Sequence, residues 1–157
     1  MTGNAQSETR QTRSLESEAF VLLLRTADAL LREFEGVLKN SGLSQTQYNL
    51  LRILRGAGPA GLACREIAGR MITRDPDITR LLDRLEARGL VSRSRERRDR
   101  RVVTSRITAQ AARLLKQLDE PVSSLHQWQF RHIPARRLRL LVSLLEQARK
   151  RDRARPE

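Results

Sequence analysis

Thr73-Arg74-Asp75-Pro76-Asp77-Ile78-Thr79-Arg80-Leu81-Leu82-Asp83-Arg84-Leu85-Glu86-Ala87-Arg88-Gly89-Leu90-Val91 is the stretch on which the fold turns. Ile78, Leu81, Leu82 and Leu85 recur at three- and four-residue steps and mark one buried stripe of a helix. Asp75 can cap that helix with Pro76 in its first position, and Thr73 is a rival cap. Gly89 suits a left-handed terminal residue, with Leu90 placed to touch Leu85. With the stripe turned inward, the opposite face carries Asp77, Thr79, Arg80, Asp83, Arg84 and Arg88. Arginine can fork onto guanine O6 and N7, and threonine can bond a base edge or touch a thymine methyl. Such a face can read duplex DNA. Taken alone it can equally be a solvated face with Asp and Arg paired along it.

The next residues shift the balance. Val91 to Ser94 and Val102 to Ile107 read as two short strands, β-branched in the second, around the polar tip Arg95-Glu96-Arg97-Arg98-Asp99-Arg100-Arg101. Residues 91 to 106 hold seven arginines against Glu96 and Asp99, a net of +5 in a segment too short to bury them. A loop needing only solubility would tolerate both signs. Guanidiniums in a hairpin tip can enter a minor groove or clasp phosphate, with Asp99 orienting Arg101.

Working outward, residues 1–13 read as a disordered tail. From Ser14, Phe20, Leu23, Leu24, Ala27, Leu30, Leu31, Phe34 and Leu38 predict a long amphipathic helix stopping at Gly42. Ser44 and Gln47 fit a capping box for a second helix with Tyr48, Leu51 and Leu54, and Leu43 suits a hydrophobic staple. The run Gly56-Ala57-Gly58-Pro59-Ala60-Gly61 should end it, leaving nothing helical. A short third helix is expected over Ala63 to Met71. Beyond the hairpin, Thr108 can cap a fifth helix, which Pro121 should kink or divide, and Pro134 starts a last helix with Leu138, Leu141, Val142 and Leu145.

Composition narrows the partners. The chain has 157 residues, 31 Lys and Arg against 18 Asp and Glu, a net charge of +13 and 39% hydrophobic residues, which fits one folded domain drawn to polyanions. Five aromatic residues beside that charge are too few for single-strand stacking platforms, so duplex DNA is favoured. No apolar run approaches a membrane span and the N-terminus lacks a signal-peptide core, so a cytoplasmic protein without membrane contact is expected. One cysteine excludes an internal disulfide, and two histidines without a Cys pair leave no metal set. No glycine phosphate cradle or activated nucleophile is recognisable, so neither an enzyme nor a cofactor is expected.

In order and spacing, Leu43-Ser44, Gln47-Tyr48, Leu51, Ile67-Ala68, Ile78 to Glu86, Gly89-Leu90-Val91, Asp99-Arg100-Arg101 and Ile107-Thr108 resemble the multiple-antibiotic-resistance-regulator (MarR) family of bacterial transcription regulators. The resemblance covers about residues 43 to 115. It implies a mainly α fold with a small β-hairpin wing, a winged helix-turn-helix with N- and C-terminal dimerisation helices. On that plan residues 14–157 form a single domain, with the DNA-binding region at 43–108 and dimerisation helices at 14–42 and 109–152. By carry-over, Thr79, Arg80 and Arg84 are base or phosphate contacts and Arg100 and Arg101 wing contacts. Arg74 and Asp77 at the helix start, with Arg97 and Arg98 in the tip, complete the candidate set. The family also implies a homodimer and often a small-molecule effector site between its two regions. Asp75 and Asp77 depart from the usual small hydroxyl residues, and either could accept from a cytosine amine or repel phosphate. Ala111 stands where glycine is frequent, a change that favours helix.

The expected function is therefore a homodimeric repressor on a near-palindromic operator, the alternative an architectural protein that binds duplex DNA without reading it. The two outer helices carry more apolar surface than a small winged domain covers, and pairing them across a two-fold axis would bury both. Arg131 to Arg155 hold nine basic residues against two acids. These can flank DNA, form intersubunit pairs or simply solvate a helix. Cys64, at the start of the third helix, is either a reactive thiol or a small packed one. His126 and His132 lack metal spacing and are read as satisfied or solvated.

Overall fold

The structure, a computed structural model, describes residues 14–72, 77–95 and 103–150. Helix α1 spans Leu15–Leu38, capped by Ser14, whose Oγ accepts from Ser17 N at 3.3 Å. A 3-10 turn, Lys39–Ser41, ends at Gly42, where φ is +63°. Helix α2, Gln45–Ala57, begins with the capping box: Ser44 Oγ accepts from Gln47 N at 3.2 Å and Gln47 Oε1 accepts from Ser44 N at 3.0 Å.

The glycine run departs from expectation. α2 continues through Gly56 and Ala57, and Gly58–Ala60 form a further 3-10 turn. Strand β1, Leu62–Ala63, follows, and then helix α3, Cys64–Arg70. The Glu66 carboxylate supports the start of α3 by accepting from Ala63 N at 2.9 Å.

Helix α4 spans Ile78–Ala87, with all four stripe residues buried. Its cap is Asp77, which corrects the assignment of Asp75 as cap and Pro76 as first helical residue. Asp77 has non-helical φ −131° and ψ 56°, and its Oδ1 accepts from Arg80 N at 3.1 Å; Thr73, Asp75 and Pro76 lie outside the described residues. At the other end Gly89 has φ +70°, Gly89 N donates to Glu86 O, and Leu90 N donates to Leu85 O at 2.9 Å. This closes the helix as a left-handed glycine terminus does.

Strands β2, Val91–Arg95, and β3, Val103–Ile107, pair antiparallel with Arg93 opposite Ser105. β1 adds to the other edge of β3, Leu62 opposite Ser105, giving the order β1-β3-β2. Helix α5, Ala109–Phe130, is capped by Thr108, whose Oγ1 accepts from Ala111 N and donates to Gly89 O. It is not divided at Pro121. Leu115, Leu118 and Val122 are buried on both sides of that exposed residue, and their packing outweighs one missing N–H donor. Helix α6, Ala135–Arg149, takes Pro134 as its cap.

One core joins α2, α3, α4, the sheet and the middle of α5: Leu50, Leu51, Leu54, Ile67, Leu85 and Leu115 are fully enclosed. The outer helices contrast with it. α1 buries only Phe34 and Leu38, α6 buries nothing, and Phe20, Leu24, Leu140, Val142 and Leu144 are exposed. Among the described residues no helix is long and apolar enough to cross a membrane.

Candidate nucleic-acid interface

The exposed face of α4 is already organised by charge. Asp77 is both cap and ion-pair partner: its Oδ2 lies 2.9 Å from Arg80 Nε, and the Arg80 side chain is 77% exposed. Thr79 and Arg84 are exposed on the same face, and Arg84 has no partner among the described residues. Arg88 serves differently. Its guanidinium donates to Gly42 O at 2.8 Å and Ser41 O at 3.2 Å, tying the end of α4 to the turn after α1.

The hairpin is held to α4 through Arg93. Its Nε donates to Glu86 Oε2 at 2.7 Å, its Nη2 lies 2.6 Å from Asp83 Oδ1, and its backbone N–H reaches Glu86 Oε1 at 3.2 Å. Hydrogen bonding of the guanidinium to Glu86, then to Asp83, with their charges, raises its pKa above its ordinary value against the opposing effect of burial. On the neighbouring strand Arg106 donates to Pro59 O at 2.9 Å and Ser94 Oγ at 2.6 Å. Arg93 and Arg106 therefore build the hairpin base, which revises the expectation that this segment is too short to engage its arginines internally. Arg95 is exposed. Arg74, Arg97, Arg98, Arg100 and Arg101 lie outside the described residues.

The structure thus brings Asp77, Thr79, Arg80 and Arg84 onto one helical face beside the base of the hairpin. Spacing gave no sign of Arg88, Arg93 and Arg106 as frame residues, because their partners are up to 47 residues distant. Asp119 and Arg55 make a further long-range pair between α5 and α2, with both oxygens engaged at 2.9 and 2.8 Å. Hydrogen bonding from Arg55 holds the Asp119 carboxyl below the usual carboxylate range, against a smaller effect of burial and with help from the charges of Arg55 and Arg52.

A cavity of about 430 Å³ lies between α1, α2 and α5, with Phe34, Tyr48, Arg52, His126 and Gln129 in its wall. The His126 ring stacks on Phe34 at 6.0 Å, and its Nδ1 is 3.3 Å from Gln129 Oε1. Gln129 is buried and donates to Leu30 O and Glu33 Oε2. Arg52 donates to Tyr48 Oη at 3.1 Å. Sequence spacing did not reveal this grouping, since three separate helices supply it. Cys64 is exposed at the first position of α3.

Comparison with known proteins agrees with this architecture. The MarR family model matches residues 43–103. A crystal structure of a MarR transcription factor from Planctomyces limnophilus is 44% identical, with a TM-score of 0.66, over 85% of this chain and 96% of that one. The chain belongs to the MarR family. It is a winged helix-turn-helix, DNA-binding transcription regulator, with α3 and α4 as the helix-turn-helix and the β2-β3 hairpin as the wing. The chain is also similar to the transcriptional regulator FarR of Neisseria gonorrhoeae, 27% identical over 111 residues, 71% of this chain and 75% of that protein. A mutant MarR from Escherichia coli, solved in complex with operator DNA, is 25% identical with a TM-score of 0.74, over 81% of this chain and 90% of that one.

Proposed function

We propose that this MarR-family protein is a cytoplasmic, homodimeric repressor that reads a near-palindromic operator. In this reading α4 lies in the major groove, with Thr79, Arg80 and Arg84 toward bases or phosphates, while Arg97, Arg98, Arg100 and Arg101 of the wing grip alongside. Arg74 and Asp77 flank the start of the reading helix. The observation that carries it is that exposed Arg80 and Arg84 of α4 stand beside a wing base fixed to that helix by Arg93. A helix and wing held at a set angle meet two grooves with less ordering on binding.

The dimer is supported by the leucine-rich faces of α1 and α6, which the chain leaves uncovered. Two subunits joined there present two reading helices, and one DNA face accepts both when half-sites lie about one helical turn, ~34 to 36 Å, apart. The cavity between the outer and DNA-binding helices offers an effector a largely apolar space with a guanidinium at its wall. An effector acts only if it binds two spacings of the reading helices with different affinity.

The test is selection from randomised duplex DNA at two salt concentrations, with the mass in solution from light scattering. The expected result is a dimer that enriches an inverted repeat and keeps that site against excess bulk DNA. A single subunit without an enriched sequence overturns the proposal and leaves a nonspecific binder.

A further inference from the structure

We propose that Asp77 holds Arg80 as a pre-set fork for guanine, which makes Asp77 a positioning residue for sequence reading. The inference rests on α4 lying in a major groove, as proposed above.

One carboxylate performs two tasks. Oδ1 accepts from the Arg80 backbone N–H at 3.1 Å, which fixes the carboxylate against the first turn of α4. Oδ2 of the same carboxylate lies 2.9 Å from Arg80 Nε and pairs with the guanidinium by charge. With the carboxylate held at the Nε edge, the two terminal nitrogens are left for a base edge, and as a pair they match guanine O6 and N7. The pair is exposed, so in water it contributes little to stability. Its consequence is conformational: a flexible side chain is restrained before it meets DNA, and less freedom is lost on contact.

The other acids of the helix do not compete. Asp83 and Glu86 are taken by Arg93, so Asp83, three residues beyond Arg80, is directed toward the wing. Arg84, one turn beyond Arg80, has no partner among the described residues. The helix thus offers one restrained guanidinium and one free one. The restrained group suits a base edge, whose two acceptors demand a set geometry, and the free group suits phosphate, which tolerates many. Asp77 also places a negative charge near the DNA. That charge lowers affinity for any duplex while it sharpens the choice among them.

Asp77→Ser separates these effects. Serine caps a helix about as well as aspartate but is too short to reach the guanidinium. Binding is measured by fluorescence anisotropy to a duplex selected by the wild-type protein, to versions with each G·C pair replaced in turn, and to bulk duplex DNA. The variant is expected to lose about tenfold of its guanine preference at one position per half-site. It should bind bulk duplex as well as the wild type or better. Arg80→Lys, which leaves the cap untouched and lacks the fork, should flatten the same position. A guanine preference that survives Asp77→Ser overturns the proposal, whatever Arg80→Lys does. An even loss on every duplex overturns it too, since damage to the helix would act that way. A wild-type protein with no preference among duplexes overturns the major-groove reading itself, and this inference with it.

Discussion

Gly61→Ala tests whether the sheet is assembled as described, through the approach of the 58–61 turn to β3. Gly61 has φ +70° and ψ −170°, a region that side chains avoid at a cost of about 1 to 3 kcal/mol. A Cβ there would also lie 2.5 Å from Ser105 O, 2.6 Å from Arg106 Cγ and 2.8 Å from Thr104 Cγ2. Backbone oxygen cannot step aside as a flexible side chain can, so the turn must retreat and strain the pairing of Leu62 with Ser105. Forced overpacking of this kind costs about 1 to 3 kcal/mol more. Gly58 supplies the control, because it has φ +64° and ψ −151° but nothing within 4 Å of an added Cβ. Gly58→Ala meets the backbone cost alone, and the difference between the variants isolates the collision. Thermal melts followed by circular dichroism, at one protein concentration because dimerisation would shift the midpoint, should place Gly61→Ala lower by roughly 5 °C. Equal melting of the two variants would refute the close approach and, with it, β1 as a support for the wing.

Arg88→Ala removes two hydrogen bonds to the carbonyls of Gly42 and Ser41 and should cost about 1 kcal/mol of stability in urea titrations while leaving base preference unchanged. A loss of base preference would place Arg88 at the DNA instead. Because Asp119 has a depressed folded-state pKa, its pairing stabilises above the ordinary carboxylate range, and that stability is lost as pH falls through it. The melting-temperature gap between wild type and Asp119→Asn should therefore be present near neutrality and close below about pH 4, a small gap because the pair is partly exposed. A gap that widens in acid would contradict the pairing. Replacing Arg100 and Arg101 together by alanine should weaken binding to every duplex and reduce the slope of log affinity against log salt by about two per subunit, about four for the dimer. An unchanged slope would remove both from the phosphate.

Local chemistry was legible in the sequence where the partner lies within one turn. The Ser44 and Gln47 box, the Thr108 cap, the left-handed Gly89 and the α4 stripe all follow from short spacings. The family resemblance reached further and placed the wing beside the reading helix. What remained hidden depends on distant residues. β1 is two residues long and exists because β3 offers it an edge. Pro121 looked like a break until the packing on both sides of it was visible. The start of α4 was misplaced because Thr73, Asp75 and Asp77 are all sound caps by type, and only the backbone at Asp77 decides among them. At the interface, residue type alone does not distinguish Arg80, Arg84, Arg88 and Arg93; their partners do.

That partition bears on how a protein with a net charge of +13 can read DNA rather than merely adhere to it. Charge alone gives affinity without choice. Here part of it is spent internally: Arg93 joins β2 to α4, Arg106 joins β3 to the turn before β1, and Arg88 joins α4 to the end of α1. Each engaged guanidinium is held by a carboxylate, hydroxyl or carbonyl of the frame, away from direct contact with phosphate, and fixes the surface on which Arg80 and Arg84 stand. Asp83 and Glu86, which would repel phosphate if free, are drawn toward the hairpin by the same Arg93 contacts. The reading face is thereby made both more rigid and more selectively cationic, and one set of ion pairs accounts for both properties.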